Sequence, residues 1–442
     1  MTAPSPLQRL IDRAHAADIA VHSLEVRVAG RTVARAGIAP FGPDVPHRLY
    51  SVSKSFTGLA VLLLAEEGRL DLDQPIAEFF PEFAPVHPWL AQTSIDHVLS
   101  MTGPHPRTVY DGEGDGWLEA YFRTPPTHRP GTLFTYDTGG SYALSALVER
   151  LAGVPMLDYL RPRVLDPLGI GADARFRCGP EGISHGGSGL IMRPGDLLPI
   201  AEAINGDGVR EGVRVLPERV VTRLRERRSD PGTQTWGAPL RLGYGRQLWL
   251  PGGGRWLMFG LGGQFVLGDP ARELALVLTA DATALQSGDQ RLLDLVLDAL
   301  DVPGFDDVSD SLSLTPPTPA HDPAHAVPTV GAFRIVTGED APDELRLDIG
   351  ADGGTLDAPG LALRFGAEHP LVFRDDLGDA VVTAGWSAPG VLDVRVSAVG
   401  DDIASQRIRI VVSGDGVVTV MAQGFGPAIP AARTWRGCYR AG

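Results

Sequence analysis

Apolar positions recur with two different periods along this chain of 442 residues, and the period changes near residue 303. Upstream, three-to-four-residue spacing alternates with two-residue spacing. Residues 7–16 carry apolar side chains on one face of a predicted helix, and 21–36 alternate like a hairpin with its turn near Gly30-Arg31. The run 55–67 predicts a strongly apolar helix ended by Gly68. The run 141–151 predicts an amphipathic helix stopped at Gly153-Val154-Pro155. Further helices are expected over 197–204 and 217–224. Strands of one antiparallel sheet are expected over 243–249, 255–261, 265–268 and 274–279, followed by a closing helix over 292–300. The expected architecture is α+β: an antiparallel sheet flanked by helices, with a helical subdomain inserted between early and late strands.

From 303 to 328 the chain reads PGFDDVSDSLSLTPPTPAHDPAHAVP. Proline clusters with small polar residues between them disfavour helix and central strand and suit an extended connection. Beyond it the pattern is short alternating strands: 344–349, 362–365, 371–373, 391–396, 406–412 and 417–422. They are separated by Gly, Asp and Pro turns, with Gly414-Asp415-Gly416 as a hairpin signal. The expected division is therefore 1–305, a proline-rich linker over 306–329, and a small all-β, barrel-like domain over 330–442.

Composition narrows the function classes. A net charge of −15 argues against a nucleic-acid surface or an anionic membrane as partner, because both require clustered Lys and Arg. The two cysteines, Cys178 and Cys438, are far apart in sequence and read as free thiols. The first ten residues lack an apolar signal core, and no apolar run approaches the ~20 residues needed to cross a bilayer; the expected location is cytoplasmic. The eleven histidines show no metal-ligand spacing, so neither a metal nor another cofactor is expected.

The candidate chemistry begins at Ser51-Val52-Ser53-Lys54, where a strong helix starts. Residues three apart share a helical face, so the Ser51 hydroxyl and the Lys54 amine point the same way. The free N–H groups of a helix start favour an attacking alkoxide and an oxyanion. A serine nucleophile needs a base in reach, and a lysine serves when burial keeps it neutral. Ser53 and Ser55 are nearby competitors, and Ser-x-x-Lys alone is a weak signal. Several further stretches accompany it: Glu66 to Ile76 (EEGRLDLDQPI), Leu99-Ser100-Met101-Thr102-Gly103, Arg129 to Tyr136 (RPGTLFTY), Leu165-Asp166-Pro167-Leu168-Gly169, Gly186-Gly187-Ser188-Gly189-Leu190 and Gly243-Tyr244-Gly245.

Together, and in this order over about residues 7 to 300, these stretches resemble the serine β-lactamase, penicillin-binding protein and esterase superfamily. The trailing β module resembles, more vaguely, the lipocalin-like domain that follows some of these hydrolases. The resemblance implies a β-lactamase/transpeptidase-like fold with Ser51, Lys54 and Tyr136 as the catalytic set. Tyr136 would exchange a proton with Ser51 and the leaving group, its phenol drawn toward phenolate by the neighbouring ammonium. Thr138 stands where the family carries Asn, and it is expected to contact substrate. Asp137 reads as a solvated or structural acid.

The third element matches 257–265, LMFGLGGQF, with Gly260 as the motif glycine. The Leu261 N–H is expected to join that of Ser51 as an oxyanion hole. A register slip of two would place Gly262 and Gly263 in those roles, with Gly262 lining the substrate site in either case. No Lys or His falls on this element, so a substrate carboxylate would lose a charge-assisted contact worth about 1.5–3 kcal/mol. Arg255, upstream on the same strand, is a weak substitute and reads as exposed. His185, beside the glycine-rich loop, reads as solvated. The expected function is hydrolysis of small esters, amides or peptides through an acyl-enzyme. Acyl transfer or peptide cyclisation ranks second and β-lactam hydrolysis third. A degenerate, non-catalytic ligand-binding protein is the reading from a different class.

Overall fold

The computed structural model describes residues 4–110, 116–305, 312–367, 369–375, 377–427 and 429–442. Its centre is a six-stranded antiparallel sheet in the order Arg31–Gly37, Ala20–Val28, Leu274–Asp281, Gln264–Asp269, Arg255–Gly260, Trp249–Gly252. The N-terminal hairpin joins the late strands by pairing Leu24 with Leu278 and Val26 with Leu276. Side chains alternate between faces, and both faces are covered. Leu274, Leu276 and Leu278 enter one core with the helices Pro6–Ala16 and Gly288–Leu300. Ala275 and Val277 enter the other, with the helical subdomain.

In that second core the helix Ser53–Glu66 is buried continuously from Ser53 to Leu64. A helix apolar all round belongs inside a helical cluster, and this one packs against Thr138–Ala152 and Glu218–Arg225. Gly153, in the left-handed conformation at φ +75°, ends Thr138–Ala152 as its sequence suggested.

The stretch 243–249 departs from expectation. Tyr244 makes only isolated bridges, to Ser229 and Trp249, and the strand begins at Trp249. Gln247 takes a positive φ, and a Cβ at Gly245 would stand 2.4 Å from the Leu224 carbonyl oxygen. Packing against Glu218–Arg225 thus bends the chain where alternation alone suggested a strand.

The C-terminal region is a ten-stranded antiparallel sheet, nearly closed into a barrel. Its order is Leu361–Gly366, Gly353–Ala358, Glu344–Ile349, Thr329–Glu339, Trp435–Ala441, Val417–Phe425, Ile403–Val412, Val391–Val399, Gly378–Ala388, Leu371–Asp375. Inward positions such as Leu345, Leu347 and Ile349 alternate with exposed ones. The interior is filled by aliphatic side chains with Trp386, Trp435 and Tyr439. The strands Thr329–Glu339, Gly353–Ala358, Gly378–Ala388 and Trp435–Ala441 escaped the alternation test. The first is exposed along most of its length, the second begins with two glycines, and most of the third is buried on both faces. The 414–416 turn closes its hairpin with Gly416 N–H donating to the Ser413 carbonyl.

Residues 306–311 of the expected linker lie outside the described residues. The remainder is extended apart from a single 3-10 turn, Pro323–His325, and it is not free. The Thr383 hydroxyl donates to the Pro317 carbonyl at 2.7 Å, and the Asp322 N–H donates to the Trp386 carbonyl at 3.1 Å. Among the described residues no helix is long and apolar enough to cross a membrane, and Cys178 and Cys438 are free thiols.

Candidate active site

A single turn of 3-10 helix, Tyr50–Val52, leads into Ser53–Glu66 and carries Ser51. One turn further in, the buried Lys54 Nζ lies 3.0 Å from Ser51 Oγ, 3.1 Å from Thr138 Oγ1 and 2.7 Å from the Gly187 carbonyl oxygen. The competing serines are engaged elsewhere. Ser53 Oγ donates to the Tyr50 carbonyl and accepts from the Leu190 N–H, while Ser55 Oγ donates to the Gln247 carbonyl.

Burial drives the Lys54 pKa from 10.5 down to about 7, against the opposing pull of Asp137. A neutral amine has two N–H donors and one lone pair. The Gly187 carbonyl and the Thr138 hydroxyl take the two donors, which leaves the lone pair facing the Ser51 hydroxyl. The glycine-rich loop therefore supplies a ligand for the amine. A side chain at Gly187 would collide with Thr138, whose methyl carbon would stand 2.4 Å from the added Cβ.

Asp137 is buried rather than solvated. It caps the helix Thr138–Ala152, with Oδ1 accepting the Gly139 N–H at 2.8 Å. Burial raises its pKa to about 7, opposed by those backbone donors and by Lys54. The Thr138 N–H donates to Thr108 Oγ1 at 2.8 Å, which fixes the start of that helix. Thr138 thus contacts the amine directly, in addition to its expected exposure to substrate.

Tyr136 hydrogen-bonds to Ser51, and Lys54 Nζ sits 4.7 Å from its ring centroid. The expectation of a phenol drawn toward phenolate fails. Desolvation raises its pKa above the usual phenol range, outweighing the Ser51 hydrogen bond, and the adjacent amine is itself depressed. Tyr136 is therefore a neutral phenol at neutral pH. Its ring stacks on Trp249 (5.5 Å between centroids) and meets Trp236 edge-on (5.2 Å). Neither tryptophan was singled out in the sequence, because tryptophans in strands and loops read as core.

At the end of the strand Arg255–Gly260, a Cβ on Gly260 would stand 2.3 Å from the Leu49 carbonyl oxygen. Only glycine lets this strand reach the backbone leading to Ser51. In the following turn the Gly263 N–H donates to the Gly260 carbonyl at 3.2 Å, and the Gly262 N–H donates to the Asp289 carboxylate. Both amides of the slipped register are thus engaged. Leu261 is half exposed at the rim.

Two neighbours differ from expectation. His185 is buried, with Nε2 3.1 Å from the Tyr110 hydroxyl and its ring boxed by Tyr110, Trp117 and Tyr142. Burial lowers its pKa to about 4. Arg255 is mostly buried and ion-paired with Asp269 and Asp301, so it does not replace the missing cation of the third element. Among the described residues no group of three or more His, Cys, Asp or Glu could hold a metal ion.

The beta-lactamase family profile matches residues 7–301, and the chain belongs to that family. It is 28% identical to the 6-aminohexanoate-dimer hydrolase of Paenarthrobacter ureafaciens over 264 residues, 54% of this chain and 67% of that one. It is 31% identical to esterase EstB of Burkholderia gladioli, covering 41% of this chain and 51% of the relative. The octameric penicillin-binding protein homologue of Pyrococcus abyssi superposes with a TM-score of 0.54 at 16% identity, covering 98% of this chain and 99% of its own. The fold is accordingly β-lactamase/transpeptidase-like, with a barrel-like sheet appended.

Proposed function

We propose that this protein is a serine hydrolase that cleaves small esters or amides through an acyl-enzyme on Ser51. The observation that carries the reading is the buried Lys54 amine, held by Gly187 and Thr138 with its remaining position 3.0 Å from Ser51 Oγ. Relatives named as a 6-aminohexanoate-dimer hydrolase and an esterase support it.

In the first step Ser51 Oγ attacks the substrate carbonyl carbon while Lys54 accepts the hydroxyl proton. The negative charge that develops on the carbonyl oxygen is met by the backbone N–H groups of Ser51 and Leu261. This register is favoured because the amides of Gly262 and Gly263 already have partners. Collapse of the intermediate expels the leaving group, which takes a proton from Tyr136; Lys54 returns its proton to the phenol. Water then attacks the acyl-enzyme, with the same groups working in reverse order. Tyr136, backed by the buried Trp249, together with the partly exposed Trp236 and the exposed Leu261, offers an apolar wall to the substrate. With no cation on the third element, neutral esters and amides rank above substrates carrying a carboxylate.

The test is a panel of p-nitrophenyl esters, D-amino-acid amides and nitrocefin, run on wild type and Ser51→Ala. Ester turnover is expected in the first and a loss of at least about 10³-fold in the second. An adduct on Ser51 without turnover would favour a binding protein.

A further inference from the structure

Immediately before the nucleophile, Tyr50 adopts φ +47°, a conformation strained for a bulky side chain and stable only when its surroundings hold it. The holding groups come from the barrel. Tyr50 Oη donates to Asp402 Oδ1 at 3.1 Å and accepts the Ile403 N–H at 2.9 Å. Arg48 ion-pairs with Asp402 and lies over the Tyr50 ring at 4.6 Å. Arg177 reaches the other carboxylate oxygen of Asp402 at 3.0 Å. The Ile403 side chain is fully buried, in one cluster with Phe41, Tyr50, Val381 and Val399. Its Cδ1 would stand 2.2 Å from a Cβ on Gly262, so it also abuts the turn that carries Leu261.

One barrel turn, residues 400–403, therefore touches both backbone segments that flank the proposed oxyanion site. We propose that Asp402 and Ile403 are positioning residues: the barrel clamps Tyr50 and the 261–263 turn, and so sets the separation of the Ser51 and Leu261 amides. This inference rests on the hydrolase reading for its kinetic part. Its structural part concerns how the barrel orders the active-site backbone. Donors must meet an oxyanion within a few tenths of an ångström, so a loosened clamp lowers transition-state binding more than substrate binding.

The experiment uses the full chain with p-nitrophenyl butyrate. Asp402→Ala is expected to lower kcat about 10- to 100-fold with KM changed less than about threefold. Asp402→Asn, whose amide oxygen still accepts from Tyr50, should recover part of that loss. Asp18→Ala removes ion pairs to Arg395 and Arg407 elsewhere in the same interface, and it should leave kcat within about twofold of wild type. Hydrogen exchange reads the clamp without turnover: Asp402→Ala should speed exchange around residues 49–52 and 261–263. An Asp402→Ala enzyme with wild-type kcat, an Asp18→Ala enzyme equally impaired, or unchanged exchange at both segments would overturn the proposal. A wild type with no Ser51-dependent turnover would sink the hydrolase reading instead, and exchange would still decide the clamp.

Discussion

The two regions of the molecule differ in how much titratable polarity they bury. The barrel interior is aliphatic and aromatic, with Phe333, Phe365, Trp386, Trp435 and Tyr439, and its buried polar side chains Thr383, Gln406 and Arg433 are hydrogen-bonded. The sheet-and-helix region buries His22, His47, Lys54, His105, Asp137 and His185, each with its pKa pushed toward the neutral form by desolvation. The first arrangement serves stability. The second costs stability, and at Lys54 the same desolvation brings the amine's pKa down to about 7, which the proposed mechanism requires of its base.

Four experiments bear on this contrast. Lys54→Met should cut turnover by about 10³-fold or more, measured with p-nitrophenyl esters, while leaving the thermal midpoint unlowered because a desolvated amine has been removed. A large drop in midpoint would show that Lys54 supports the fold and break the comparison. Trp386→Ala should do the reverse. It empties a fully buried site whose indole N–H donates to the Gly350 carbonyl at 3.0 Å, and it should cost about 3–5 kcal/mol in denaturant unfolding followed by barrel-sensitive fluorescence. Its effect on turnover should come only through the clamp at residues 400–403.

The third concerns acid. His22, His47, His105 and His185 have folded pKa values below their unfolded ones, so the unfolded chain binds more protons as pH falls below about 6.5. The histidines' contribution should be full above that pH and decline toward pH 4, by up to about 1.4 kcal/mol per unit for each histidine involved, while the raised pKa of Asp137 works in the opposite direction below pH 7. Chemical denaturation across pH 4–8 measures it, and a flat profile would erase the contrast. The smallest effect is in the rate. The kcat/KM for an ester should rise about tenfold per unit below pH 7 and level off as Lys54 loses its proton. A profile flat through pH 7 would remove Lys54 as the base.

Much of this was readable in the chain, and the parts that were not share a cause. Ser51 and Lys54 lie three residues apart, so local helix geometry alone brings them together. Tyr136, Gly187 and Gly260 are distant in sequence, yet each belongs to a short motif with a local backbone reason. Trp249, Trp236 and Thr108 left no such mark. The strand expected over 243–249 failed because alternation does not register a neighbouring helix carbonyl. His185 was expected in water, and Asp137 was left between a solvated and a structural role, because burial of a single polar residue depends on what folds over it.

Period and punctuation along the chain were enough to set its classes of element, the change of architecture near residue 303 and the serine–lysine pair, since each depends on residues within a few positions of one another. Only the tertiary structure showed which way burial moves the pKa values of Lys54, Tyr136 and Asp137 and how the 261–263 turn is hydrogen-bonded. It alone also placed Asp402 and Ile403 beside Tyr50, more than 350 positions along the chain. Desolvation and hydrogen-bond competition come from groups that the sequence keeps far apart and packing brings together.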